Sequence, residues 1–123
     1  MKEGVKILVV DDEKVLRDLL KQLLEAEGYQ VKTAGSGPEA LELLAKENFD
    51  LVISDVKMPR MDGFELLKRI KAQYPDIGVI MVTGYSEAYT MKDALMLGAD
   101  EYITKPFKIN EISLIVERAY WRI

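Results

Sequence analysis

A doubly wound α/β domain, with one five-stranded parallel sheet and helices on both faces, is the fold class this sequence predicts. Three observations lead there. Apolar runs alternate with amphipathic stretches along the whole chain, which is the pattern of successive βα units. The apolar runs are close to continuous, as expected of parallel strands buried on both faces. At 123 residues the chain fits a single domain, 1–123, with one apolar core and no linker, repeat or low-complexity segment.

The first strand is Ile7-Leu8-Val9-Val10. Leu16, Leu19, Leu20, Leu23 and Leu24 then recur at helical spacing, and Gly28 suits the helix end. Tyr29 to Ala34 alternates apolar and polar residues as a strand does, and Ser36-Gly37-Pro38-Glu39 reads as a capping box for a helix carrying Ala40, Leu41 and Leu44. The third strand is Asp50-Leu51-Val52-Ile53-Ser54. Asp62, with Glu65 three residues on, caps a helix through Leu66, Leu67 and Ile70. Val79 to Val82 is the fourth strand, followed by a helix from about Ser86 to Leu97 that ends at Gly98. Glu101-Tyr102-Ile103 is a short fifth strand, and Asn110 opens the last helix, with Ile112, Ile115 and Val116 facing inward. With right-handed crossovers the expected strand order is 2-1-3-4-5, the flavodoxin-like arrangement, whose ligands sit outside the carboxyl ends of the strands.

Composition narrows the chemistry. The chain has no cysteine, which excludes disulfides, thiolate nucleophiles and cysteine metal sites. It also has no histidine, so acid–base and metal chemistry must come from carboxylates, hydroxyls and lysines. A net charge of −4 without a basic cluster argues against direct nucleic-acid contact by this domain. No apolar run approaches the roughly 20 residues needed to span a bilayer, and no signal-peptide pattern precedes the first strand, so a cytoplasmic location away from membranes is expected.

Four apolar runs stop at polar residues on the edge where ligands bind: Val10 at Asp11-Asp12, Ser54 at Asp55, Val82 at Thr83 and Thr104 at Lys105. Taken singly, Asp12 reads as a helix cap, Thr83 as a turn hydroxyl, Lys105 as a solvated charge and Met58-Pro59 as turn punctuation. Together on one sheet edge they read as a site. Three converging carboxylates repel one another unless a cation sits among them, and an all-oxygen set favours magnesium, with calcium or manganese as alternatives. Three aspartates, one lysine and a divalent ion sum to zero charge.

These residues resemble the bacterial response-regulator receiver domains of two-component systems, the chemotaxis regulators among them. The stretches that carry the resemblance are Ile7 to Glu13, Asp50 to Gly63, Val82-Thr83-Gly84 and Gly98 to Phe107, which together cover essentially the whole chain. The resemblance implies that Asp55 takes a phosphoryl group from the phosphohistidine of a sensor histidine kinase or phosphotransfer protein. It implies magnesium bound by Asp12, Asp55 and the Lys57 carbonyl, with Asp11 orienting a bound water, and phosphoryl oxygens held by Lys105 and Thr83. It also implies a cis peptide at Lys105-Pro106, and a tight turn at Gly63 where a plain helix start is the alternative. Thr83 and Tyr102 would form a switch pair that changes the face of the fourth helix, fifth strand and fifth helix toward a downstream effector protein or domain. Lys57 and Tyr85, each two positions beyond a site residue, would flank the path of attacking water and slow loss of the phosphoryl group. Such a domain catalyses its own phosphorylation and dephosphorylation without being an enzyme toward other substrates. A phosphorylation-linked homodimer is left open.

Three competing readings are weaker. A small aspartate-nucleophile hydrolase would carry Asp-x-Asp at the first strand and an insertion to cap its substrate, and both are missing. A flavin binder would need a hydroxyl- and glycine-rich loop where Asp11-Asp12 stands. An interaction module that is never phosphorylated would not need the complete acidic set.

Overall fold

The computed structural model describes residues 4–84 and 91–121. Five strands alternate with five helices: β1 Lys6–Val10, α1 Lys14–Ala26, β2 Gln30–Ala34, α2 Gly37–Lys46, β3 Leu51–Asp55, α3 Gly63–Gln73, β4 Gly78–Gly84, α4 Met91–Met96, β5 Glu101–Lys105 and α5 Ile109–Trp121. The sheet order is β2-β1-β3-β4-β5 and every pairing is parallel, as the sequence predicted. No helix among the described residues is long and apolar enough to cross a membrane.

Because successive strand residues point to opposite faces, each strand feeds two cores. Leu8, Val10, Val52, Val79 and Met81 pack with Ala40 and Leu44 of α2, Leu66, Leu67 and Ile70 of α3 and Ala94 of α4. On the other face Ile7, Val9, Ile53, Ile80 and Ile103 pack with Leu20 and Leu24 of α1 and Ile112, Val116 and Ala119 of α5. That double burial explains the continuous apolar runs.

Local signals set the helix ends. Asp62 accepts a hydrogen bond from the Glu65 amide at 2.9 Å, as expected for the cap of α3. Ser36 accepts from the Glu39 amide at 3.3 Å, but Glu39 returns its carboxylate to the Gly35 amide, one residue before the position a reciprocal box would use. α1 and α4 are followed by Gly28 and Gly98 at φ 103° and 100°, and the next amides, of Tyr29 and Ala99, reach back to Leu24 and Ala94. α5 begins one residue before Asn110, because Glu111 accepts the Lys108 amide at 3.0 Å and closes the turn from its own side chain.

All five strands differ from expectation at one end or both, β1 and β2 by a single residue at the start. β3 runs one residue later than predicted, since Asp50 spends its carboxylate on the Lys6 amide and the ladder continues to Asp55. β4 and β5 extend past Val82 and Ile103, with Thr83 opposite Thr104 and Gly84 opposite Lys105. A ladder is made by the main chain, so polar side chains do not end it. The expected start of the fourth helix at Ser86, and Tyr85 with it, lie outside the described residues.

Gly63 stands where α3 meets the end of β3. Its amide donates to the Val56 carbonyl at 2.7 Å, and a Cβ there would lie 2.1 Å from the Asp55 carbonyl oxygen and 2.8 Å from the Val56 Cα. The helix start therefore packs directly on backbone, and close approach is the reason for glycine. Gly63→Ala is expected to lower stability by about 2 kcal/mol or more, since the overlapped atoms cannot rotate away. Urea denaturation measures this, and an unchanged midpoint would contradict the close packing.

Candidate functional site

The site forms where the carboxyl ends of β1, β3, β4 and β5 meet. The loop after β1 carries Asp11 and Asp12, β3 ends at Asp55, and β5 ends at Lys105. Asp11 and Asp55 are buried, at 3% and 5% exposure, whereas Asp12 is exposed. One carboxylate oxygen from each aspartate lies within 4.8 Å of the others. The Lys105 ammonium donates to Asp55 Oδ2 at 3.0 Å and stands 3.8 Å from Asp11 Oδ2 and 4.0 Å from Glu13 Oε1. The peptide between Lys105 and Pro106 is cis, as expected.

Each group is held from behind. The Asp11 amide donates to the Ala34 carbonyl at 3.1 Å, and its carboxylate accepts the Glu13 amide at 2.9 Å. The sheet continues one bond past Asp55, with the Val56 amide donating to the Val82 carbonyl at 2.9 Å. The Lys57 amide approaches Asp55 Oδ1 at 3.4 Å, while the Lys57 side chain is exposed.

Electrostatics records the crowding. Burial pushes the Asp11 carboxyl up from 3.8 to about 6; the Glu13 amide opposes this, and the neighbouring Asp55 charge adds to it. Burial works against the charge on Lys105, yet its hydrogen bond to Asp55 and the charges of Asp55, Asp11 and Glu13 together outweigh burial and raise its pKa. Three carboxylates against one ammonium leave room for a divalent cation, and a set of carboxylate oxygens without histidine or cysteine suits a hard one.

Thr83 is fully buried on β4, one residue beyond Val82, the register partner of Asp55. Tyr102 pairs with Met81, so it shares a sheet face with Thr83 and lies diagonal to it; it is half-buried against the core under α3 and α4. The sequence-predicted residues Asp11, Asp12, Asp55 and Lys105 are thus brought together, with Thr83 and Tyr102 on the adjoining strands and Tyr85 outside the described residues.

Two features escaped the sequence reading. Leu19, one of the five leucines at helical spacing in α1, is 45% exposed, and Val15 is 82% exposed. With Leu16, Pro106 and Phe107 they line a groove of about 590 Å³ that reaches Lys105. The second is Arg17, whose guanidinium donates to the Asp11 carbonyl at 2.8 Å. A side chain bonded to main chain leaves no sequence pattern.

Comparison with known proteins agrees with this geometry. Residues 7–117 match the family model described as the response regulator receiver domain. The chain is 43% identical over 113 residues to sporulation initiation phosphotransferase F of Bacillus subtilis (strain 168), covering 92% of this chain and 91% of that protein. It is 40% identical over 119 residues to the DNA-binding transcriptional regulator NtrC of Escherichia coli (strain K12), covering 97% of this chain but only 25% of that protein. Among solved structures, a response regulator receiver domain protein from Clostridium thermocellum superposes with a TM-score of 0.90 at 37% identity, covering 96% of this chain and 95% of that one. A shared order of parallel strands, an acidic cluster at their carboxyl ends and a family match across nearly the whole sequence make this chain a member of the response regulator receiver domain family.

Proposed function

We propose that Asp55 is the phosphoryl acceptor of this receiver domain, with magnesium held by Asp12, Asp55 and the Lys57 carbonyl and with Asp11 orienting a bound water. As a member of its family the chain is a phosphorylation-dependent signalling switch of the two-component type. The observation that supports the residue assignment is the packing of three carboxylates within 4.8 Å, with the Lys105 ammonium 3.0 Å from Asp55.

In the proposed reaction a carboxylate oxygen of Asp55 attacks phosphorus in line. An acyl phosphate forms, and the bond from phosphorus to the histidine nitrogen of a sensor kinase or phosphotransfer protein breaks, leaving the electron pair on that nitrogen. Bound magnesium supplies positive charge against carboxylate repulsion and against charge on the phosphoryl oxygens. Lys105, already at Asp55, exchanges its carboxylate partner for a phosphoryl oxygen, and the Thr83 hydroxyl holds another. Each is a fixed donor aimed where charge builds.

Output follows from the adjoining strands. Drawing Thr83 toward the phosphoryl group would open space on the face it shares with Tyr102, biasing a pre-existing equilibrium in which Tyr102 turns inward. The α4, β5 and α5 face then presents a changed surface to an effector protein or domain. Lys57 and Tyr85 tune access of the attacking water. The domain acts in the cytoplasm and catalyses only its own phosphorylation and dephosphorylation. The apolar groove beside Lys105 receives the phosphohistidine partner, because it sets an exposed hydrophobic surface next to the acceptor.

Incubation with acetyl phosphate and magnesium is expected to add one base-labile phosphoryl group to the wild type and none to Asp55→Asn, read by intact mass. Equal adducts on both proteins would remove Asp55 from the role.

The raised Asp11 pKa gives a signed pH dependence. Between 3.8 and about 6 the folded protein holds a proton at Asp11 that the unfolded chain has released, so this group's contribution to stability falls as pH rises through that window. Asp11→Asn carries no such charge. In chelator it should match the wild type in stability near pH 4 and exceed it near neutrality by up to about 3 kcal/mol, with magnesium narrowing the gap. Urea denaturation across pH measures it, and a gap independent of pH contradicts the electrostatic account.

Leu19→Glu is expected to slow phosphoryl transfer from a phosphorylated histidine phosphotransfer domain by about tenfold or more, because a charge replaces apolar contact. Labelling by acetyl phosphate should be unchanged. Loss of both activities together, or of neither, would count against the groove as the docking surface.

A further inference from the structure

We propose that Arg17 is a positioning residue for the cation site, acting through the main chain of the loop that carries Asp11 and Asp12. The inference rests on the proposed cation binding by these aspartates. Arg17 lies in the first turns of α1, and its Nη1 donates to the Asp11 carbonyl at 2.8 Å. Among the described residues it has no carboxylate within ion-pairing distance, so its one side-chain hydrogen bond is to the main chain. An arginine that reaches the Asp11 main chain and pairs with no carboxylate among the described residues is placed for something other than charge neutralisation.

The surroundings make room for this contact. A Cβ on Gly35 would lie 3.2 Å from Arg17 Nη1, so the absence of a side chain at the end of β2 leaves space for the guanidinium. The helix fixes the other end of the strut, because the Arg17 amide donates to the Glu13 carbonyl at 3.0 Å. Asp11 is therefore anchored at three atoms: its amide by Ala34, its carboxylate by the Glu13 amide and its carbonyl by Arg17.

The consequence falls on Asp12. The Asp11 carbonyl and the Asp12 amide share one rigid peptide plane, so fixing the carbonyl fixes the direction in which Asp12 leaves the strand. Asp12 is the exposed member of the trio and has the most freedom to lose on binding a cation. Holding its backbone in place beforehand removes part of that ordering cost, as groups behind metal ligands generally do.

The sign of the effect separates positioning from charge. A guanidinium close to the site repels a second cation, so charge alone predicts that neutralising Arg17 tightens magnesium binding. Positioning predicts the reverse. Arg17→Met keeps most of the stem and removes the donor, whereas Arg17→Lys keeps both a donor and the charge. Magnesium chloride titrations followed by the amide resonances of residues 11–13 and 57 should show affinity about tenfold weaker for Arg17→Met. Arg17→Lys should bind within about threefold of wild type, since its ammonium retains a donor for the carbonyl. Urea denaturation in chelator accompanies each titration to establish that the variant is folded. If Arg17→Met does not fold, Arg17→Gln, which is neutral and too short for the carbonyl, takes its place against Arg17→Lys. Neutral variants that bind as tightly as wild type or tighter, or a lysine variant no better than the neutral one, would overturn the role of Arg17. A wild type whose resonances do not move would instead overturn the cation reading itself.

Discussion

Carboxylate repulsion at the carboxyl ends of the strands is the constraint around which this molecule is organised. Asp11 and Asp55 are nearly excluded from water, and Asp12 lies within 4.8 Å of both. One ammonium, from Lys105, offsets part of that charge. Burial pushes the Asp11 carboxyl upward, and the neighbouring Asp55 charge adds to that push. An arrangement costly to the isolated fold suits the proposed switch, because a cation and then a phosphoryl group would each bring positive charge or donors into play at the carboxylates. The same burial that crowds the carboxylates strengthens any charge placed among them.

The sheet makes that crowding possible and the two cores enforce it. Apolar residues of β1, β3 and β4 are buried on both faces, so the strand ends cannot splay apart to relieve the repulsion. Gly63 adds a second restraint by seating α3 on the backbone of Asp55 and Val56. The loop after β1 has no such packing around Asp12. It is held by hydrogen bonds with Ala34, Glu13 and Arg17 instead, so the proposed tuning of cation affinity falls on that loop.

The strand order and the cluster of charged residues at the strand ends were legible in the sequence because both leave a one-dimensional trace. A buried parallel strand is a short apolar run, and a polar residue directly after it falls on the ligand-binding edge. Asp11, Asp12, Asp55 and Lys105 were found that way, and the structure gathers them. The ends of β4 and β5 were not legible, since Thr83 and Thr104 continue a main-chain ladder that ignores side-chain polarity. The exposure of Leu19 was not legible for a different reason: helical spacing shows which residues share a face but not how wide a strip the sheet covers. Arg17 was invisible because its partner is a carbonyl that every residue possesses.

The most direct test of the central claim is a crystal structure of the wild type soaked with manganese and beryllium fluoride. Manganese reports its position by anomalous scattering, and the fluoride complex mimics a phosphoryl group on a carboxylate. The account predicts an anomalous peak among Asp11, Asp12 and Asp55, with the fluoride adduct on Asp55 in reach of Lys105 and Thr83. Manganese bound elsewhere, or an adduct on any other carboxylate, would contradict it.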